Sequence, residues 1–398
     1  MEDDLINKPK PFEEQKEIIT KKGNEEEKKE DKKEEKKEDK KEENEEEEDD
    51  VEIEPIIEIK EEKDLEKIDK NIDRLEINDL KSSKILDIMK NVNFQKLEVL
   101  ALNKTGINSF DFLNNNNFKT LIILELKENG IKSLDSISKI SSTDLKVLDL
   151  SFNEIESISE FNNDKFSKIE ILILSNNKIK DICPISHSYS TKIKKLDMSH
   201  NEIVSIDKLA DNRALENLES LYLNENKIEN INVLAKDVFE KLKELQLNDN
   251  QIEKIDDLKT AHFKDLEELM LYGNKIECID PLENPNFTKI KILSLGKNNI
   301  KIINPLKNCA FKGLEKLDLF SNEISDISVL EKIPFKDTIE ELDLSFNKLT
   351  SIEIFTSLNF PKLKELKIEA NDGLDYSNQK IKDLYDNYKI KYNYNSIL

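Results

Sequence analysis

From residue 97 to residue 371 the chain repeats one unit twelve times, and that period constrains the fold more than any other feature. LKVLDLSFNEIESI, beginning at Leu145, returns as LESLYLNENKIENI from Leu218 and as LEELMLYGNKIECI from Leu266. The copies start at Leu97, Leu121, Leu145, Ile169, Ile193, Leu218, Leu242, Leu266, Ile290, Leu314, Ile339 and Leu363, so every step is 24 residues except two of 25. A unit this short cannot close a core of its own. It buries its apolar face on its neighbours, which predicts an open, one-dimensional solenoid.

Each residue type in the unit has a physical task. Leu145, Leu148 and Leu150 take the inward positions of a short strand, so Val147, Asp149 and Ser151 point the other way, onto the inner wall. At the turn after the strand, backbone amides and carbonyls lose their ladder partners. An Asn side chain there can satisfy both kinds of group, which Leu cannot. The predicted ladder is Asn129, Asn153, Asn177, Asn201, Asn226, Asn250, Asn274, Asn298, Asn322, Asn347 and Asn371, with Thr105 standing in at the first copy. These asparagines are read as scaffold, not chemistry.

The return leg is patterned as well. Leu234, Leu258, Leu282, Leu306 and Leu330 follow the last Ile of their units. Five residues later comes Phe in eight of the eleven gaps: Phe118, Phe166, Phe239, Phe263, Phe287, Phe311, Phe335 and Phe360. Short polar runs with prolines, such as DPLENPNF, suit a turn of 3₁₀ helix better than a long helix. The outer side of the solenoid should therefore be thin.

LKVLDLSFNEIESI and its sisters resemble the short, cytoplasmic class of leucine-rich repeats that includes the regulatory subunit of protein phosphatase 1 and the bacterial internalins. The resemblance implies an α/β solenoid, a right-handed horseshoe with a parallel concave sheet. It also implies a protein partner on that sheet, a phosphatase or another signalling enzyme. The period here is longer than in those relatives and the Phe column is a departure, so no position carries over one to one. The acidic segment EENEEEEDD (42–50) resembles acidic nuclear phosphoproteins of the histone-chaperone kind, which carry their acid at the other end. That likeness supplies the alternative reading, a chaperone for a basic protein.

Four regions follow. Residues 1–50 are expected to be a disordered charged tail: the tract 24–50 is nearly devoid of apolar residues, and its Lys and Glu blocks repeat every four residues, pairing like with like at i,i+4. Residues 51–96 read as an N-terminal cap in which IDRLEI (72–77) is a degenerate repeat. Residues 97–371 form the solenoid, the last unit partial. Residues 372–398 read as a C-terminal cap, with Tyr376, Tyr385, Tyr388, Tyr392 and Tyr394 able to bury a ring while keeping the hydroxyl wet.

Other classes are disfavoured. The first residues lack the apolar run of a secretory signal, and nothing reaches membrane-spanning length. Cys183, Cys278 and Cys309 occupy different slots of their units, which suits a reducing interior. A formal charge of −23 opposes nucleic acid. Cys183 and His187 share a return leg and His200 belongs to the turn beyond the next strand, so no metal site is expected. The chain is expected to be a monomeric protein-binding adaptor or regulatory subunit, cytoplasmic with the nucleus as the alternative, and with no catalytic group, cofactor or membrane contact.

Candidate contact residues are read from the outward strand positions. Early units place aliphatic residues there, Val99, Ile123, Val147, Ile171 and Ile173, an exposed stripe of the kind that marks a contact surface. Middle units offer Tyr222, Met270, Tyr272 and Phe320, hot-spot residue types that should form a diagonal patch. Asp318, Glu341, Asp343 and Glu365 then turn the wall acidic, which would steer a basic partner. Phe152 and Phe346, each beside a ladder Asn, are expected to tuck under the turn.

Overall fold

The computed structural model describes residues 57–377 and 379, apart from 115, 187–190 and 212–214. The expectations for residues 1–50, for His187 and for the tyrosines from Tyr385 to Tyr394 lie outside the described residues. Among the described residues fourteen strands form one open sheet in strict chain order, every neighbouring pair parallel. The first seven are β1 (Ile57–Ile59), β2 (Arg74–Asn78), β3 (Val99–Asn103), β4 (Ile123–Glu125), β5 (Val147–Asp149), β6 (Ile171–Ile173) and β7 (Lys195–Asp197). The others are β8 (Ser220–Tyr222), β9 (Glu244–Gln246), β10 (Glu268–Met270), β11 (Ile292–Ser294), β12 (Lys316–Asp318), β13 (Glu341–Asp343) and β14 (Glu365–Lys367). Parallel neighbours require a crossover each time, and here each crossover is the return leg of a unit. The sheet thus starts two strands before the first full repeat. Helix α1 (Ser83–Asn91) fills the second crossover, capped by the Ser82 side chain and burying Ile85 and Met89.

Register follows the period. Leu245 pairs with Leu269, Leu269 with Leu293 and Leu293 with Leu317, so the inward leucines stack into one continuous core. Most return legs are short 3₁₀ turns, single in Asp256–Thr260, Asp280–Glu283 and Asn304–Asn308. Behind them the Phe column is fully buried, with Phe263 stacked on Phe287 at 6.1 Å and Phe311 on Phe335 at 5.6 Å. Long helices would need more room than these stacked rings leave, which keeps the convex side thin.

The asparagine ladder is built as its chemistry requires. The Asn274 amide donates to the carbonyls of Leu247, Leu271 and Tyr272 at 3.0, 3.1 and 3.2 Å, while its oxygen accepts from the Ile252 amide at 3.0 Å. Each ladder side chain therefore ties its own turn to the preceding unit. At Asn371, the last rung among the described residues, the partner is Tyr376. Its hydroxyl accepts from the Asn371 amide at 2.8 Å and donates to the Ile368 carbonyl at 2.9 Å.

One residue before each ladder Asn the backbone is left-handed, as at Phe152 (φ 57°), Asp249 (φ 52°) and Phe346 (φ 55°). The amide of that residue bonds the next unit, Phe152 to Ser175 and Phe346 to Glu369, both at 2.9 Å. This conformation swings the side chain outward. Phe152 and Phe346 are consequently 53% and 51% exposed, where the sequence reading had them tucked under the turn.

Candidate protein-binding surface

The concave wall carries three outward slots per strand, represented in β5 by Val147, Asp149 and, just past the strand, Ser151. Outward does not mean exposed here. Ile123, Ile171 and Ile173, expected as an open stripe, are all buried, although none belongs to the core behind the sheet. Tyr222 and Met270 in the middle slot are only 5% and 2% exposed. At a strand spacing of about 4.8 Å, middle-slot side chains press against their lateral neighbours and shut water out. The expected diagonal patch therefore loses half of its members as accessible anchors.

Tyr222 is engaged on both sides. Its hydroxyl is hydrogen-bonded to the Glu244 carboxylate on β9, and the Lys195 ammonium from β7 lies 4.7 Å from its ring centre. Burial, then the Glu244 charge, hold the Tyr222 hydroxyl firmly in its protonated form. Burial also lowers the pKa of Lys195. On the wall before it, Lys127 bridges Glu125 at 3.3 Å and Asp149 at 3.7 Å.

The structure does bring Tyr272 and Phe320 together, and adds a third ring. Both are half-buried in the third slot, two units apart, and their ring centres stand 6.4 Å apart at an interplanar angle of 20°. Between them lies Gly296. A Cβ there would sit 2.7 Å from the Tyr272 ring and 2.7 Å from an Asp318 oxygen, so only glycine lets the rings lean across the intervening strand. Phe320 in turn meets Phe346 at 5.1 Å, and the Lys297 ammonium lies 5.8 Å from the Tyr272 ring centre. The result is an aromatic row along the edge of the sheet where β10 to β13 end.

Carboxylates flank the row. Asp318 accepts from the Ser294 hydroxyl at 2.7 Å and from the Phe320 amide at 2.9 Å. Desolvation nevertheless raises its pKa to about 6. Asp343 accepts from the Ser345 hydroxyl at 2.6 Å and lies 3.6 Å from Lys367, and Glu341 pairs with Lys316 at 2.9 Å. Burial also raises the pKa of Glu369. The wall of β12–β14 thus sets Asp318, Glu341, Asp343, Glu365 and Glu369 against Lys316 and Lys367, an acidic excess.

Gly296 escaped sequence reasoning, and Phe346 was expected under the turn instead of in the aromatic row. Aligning the units on the residue before each ladder Asn would have shown the Phe346 position to be one of a series, but not its left-handed backbone. Among the described residues no cluster of His, Cys, Asp and Glu has metal-binding geometry, and no helix is long and apolar enough to cross a membrane. His200 instead faces Glu225 at 2.9 Å.

Comparison with known proteins agrees with this architecture. Two family models match, one described as leucine rich repeats in two copies over residues 191–236 and 240–284, the other as leucine rich repeat over residues 143–203. No curated protein matches the sequence. Among solved structures, the internalin InlF from Listeria monocytogenes is 26% identical with a TM-score of 0.63, the match covering 79% of this chain and 84% of that one. A leucine-rich-repeat protein of Leptospira interrogans is 21% identical with a TM-score of 0.63, covering 81% and 90%. A plant peptide hormone receptor, RGFR1, solved in complex with RGF2, is 19% identical with a TM-score of 0.57, over 76% of this chain and 48% of the receptor. At the latter two identities the likeness is one of fold. Leucine-rich-repeat domains in general mediate protein–protein interaction. The units of this chain are leucine-rich repeats, in sequence and in fold.

Proposed function

We propose that the chain is an intracellular adaptor or regulatory subunit that holds an extended, basic segment of a protein partner against the C-terminal half of its concave wall. One observation carries this reading: Tyr272, Phe320 and Phe346 form a contiguous, partly exposed row on a rigid sheet, beside an acidic excess. Clustered aromatics with water-excluding surroundings are where binding energy concentrates. Arg or Lys side chains suit such a row, because the ammonium or guanidinium can face a ring and a carboxylate at once. The plant receptor and its peptide offer a parallel for peptide binding on this fold. Cys183, Cys278 and Cys309 form no disulfide with one another, and the Cys278 thiol is exposed, which supports a reducing compartment.

The test is capture of partners by the full chain, by a chain lacking residues 1–50, and by the Phe320→Ala, Phe346→Ala double variant, followed by affinity measurement on the partner recovered. The double variant should weaken binding by at least about 2 kcal/mol. Loss of the tail should leave it intact, and raised salt should slow association. Unchanged affinity in the double variant overturns the reading. Capture of basic proteins that depends on residues 1–50 alone would point to a chaperone instead.

A further inference from the structure

The two ends of the aromatic row are not equivalent. At the Tyr272 end a cation is already in place, the Lys297 ammonium 5.8 Å from the ring centre. At the other end Phe320 and Phe346 meet at 5.1 Å with their planes tilted by 56°, and the Phe346 ring is exposed. Among the described residues neither of these rings carries a cation. The carboxylates beside them are short of cations as well. Lys316 is taken by Glu341 at 2.9 Å. Lys367 is shared, 3.6 Å from Asp343 and 3.4 Å from Glu365. Glu369 follows β14 in the third slot, and its carbonyl accepts from the Phe346 amide at 2.9 Å, which sets it beside that turn. Its Oε2 is buried without a hydrogen-bond partner.

We propose that the Phe320–Phe346 end of the row is a seat for an arginine of the protein partner, its guanidinium flat on Phe346 and paired with the Glu369 carboxylate. This assignment rests on the function proposed above and names the group that the row selects, arginine and not lysine.

Shape, hydration and discrimination all favour arginine. Phenylalanine has no hydroxyl and offers only its ring. A guanidinium is planar, so it can lie on that ring while its edge N–H groups form a fork toward a carboxylate. An ammonium is a compact charge without such a fork. Because Asp343 and Glu369 are half-buried, the incoming cation must also shed water, and a guanidinium is more weakly hydrated than an ammonium. The wall already shows the fate of a dry lysine: burial lowers the pKa of Lys195 beside the Tyr222 ring, whereas a guanidinium keeps its charge. Finally, the chain carries sixty lysines and only two arginines, Arg74 and Arg213. A seat open to any ammonium would be open to the lysines of every other copy, and one that requires a guanidinium turns nearly all of them away.

The test is fluorescence anisotropy of labelled hexa-arginine and hexa-lysine titrated with the full chain. Hexa-arginine should bind about fivefold tighter or better. Phe346→Leu keeps an apolar side chain at an exposed position but removes the ring face. It should leave the melting curve in place and bring the two peptides to within about twofold of each other. Glu369→Gln should weaken hexa-arginine more than hexa-lysine. Equal affinity for the two peptides on the intact chain overturns the arginine seat and leaves the basic-segment reading standing. A preference that survives Phe346→Leu also overturns the seat, because it then arises elsewhere on the acidic surface. Binding of neither peptide overturns the seat and the basic-segment reading together.

Discussion

Tyr272 and Phe320 stack across Gly296, so the chain's central aromatic contact depends on a residue with no side chain. The two rings sit two strands apart, and a Cβ between them would collide with both the Tyr272 ring and Asp318. Gly296→Ala should therefore destabilise the fold by about 1–3 kcal/mol, the usual cost of overpacking. Combining it with Tyr272→Ala should cost less than the sum of the two, because the ring is one of the colliding partners. Strict additivity in urea unfolding would show that the rings do not lean over Gly296.

Core and ladder should respond differently. Leu269 lies in the continuous core between Leu245 and Leu293, and Leu269→Ala should cost about 2–5 kcal/mol through lost burial and a residual cavity. Asn274→Ala removes the partner of three carbonyls and one amide and should cost about 1–3 kcal/mol. Unchanged melting curves in both variants would contradict the inward placement of these side chains.

Tyr222 separates orientation from exposure. It faces the concave side, yet it is buried and its hydroxyl serves the Glu244 carboxylate. Tyr222→Phe should cost about 1–2 kcal/mol, because a half-buried carboxylate loses its donor, and Tyr222→Ala should cost more. A surface residue would show neither loss. The check is chemical denaturation of the two variants side by side.

The repeat, the register and the ladder were legible because each rests on a periodic requirement: inward leucines every other residue, and one Asn wherever the backbone leaves the sheet. The contact surface was less legible. Strand alternation says which way Ile171 or Met270 points, but not that neighbouring strands close over it. The left-handed residue before each ladder Asn has no fixed type, being Phe, Asn, His, Glu, Asp, Gly, Lys, Ser or Ala, so the sequence offers no sign that Phe346 is pushed into solvent. Gly296 was invisible for a related reason. Its meaning lies in rings 24 residues away on either side, not in its own unit.

Asp318 makes the acidic wall sensitive to pH in a calculable direction. Its pKa in the fold is about 6 against an ordinary value of 3.8, raised chiefly by desolvation. Below the lower value the group is protonated in both folded and unfolded chains and adds no penalty. Between the two values the unfolded chain releases its proton first, so stability falls as pH rises, and above about 6 the loss is complete. Asp318→Asn removes the charge while keeping the geometry: the amide oxygen can still accept from the Phe320 amide, and its NH₂ can donate to Ser294 once that hydroxyl turns. The variant should therefore gain on the native chain by about 1–3 kcal/mol between pH 4 and pH 7. Taking the difference at each pH cancels the titration of every other carboxylate. A gap that stays constant across that range, measured by urea unfolding, would mean that Asp318 ionises normally on the wall. It would then contribute to a basic partner's attraction at full strength even in mild acid.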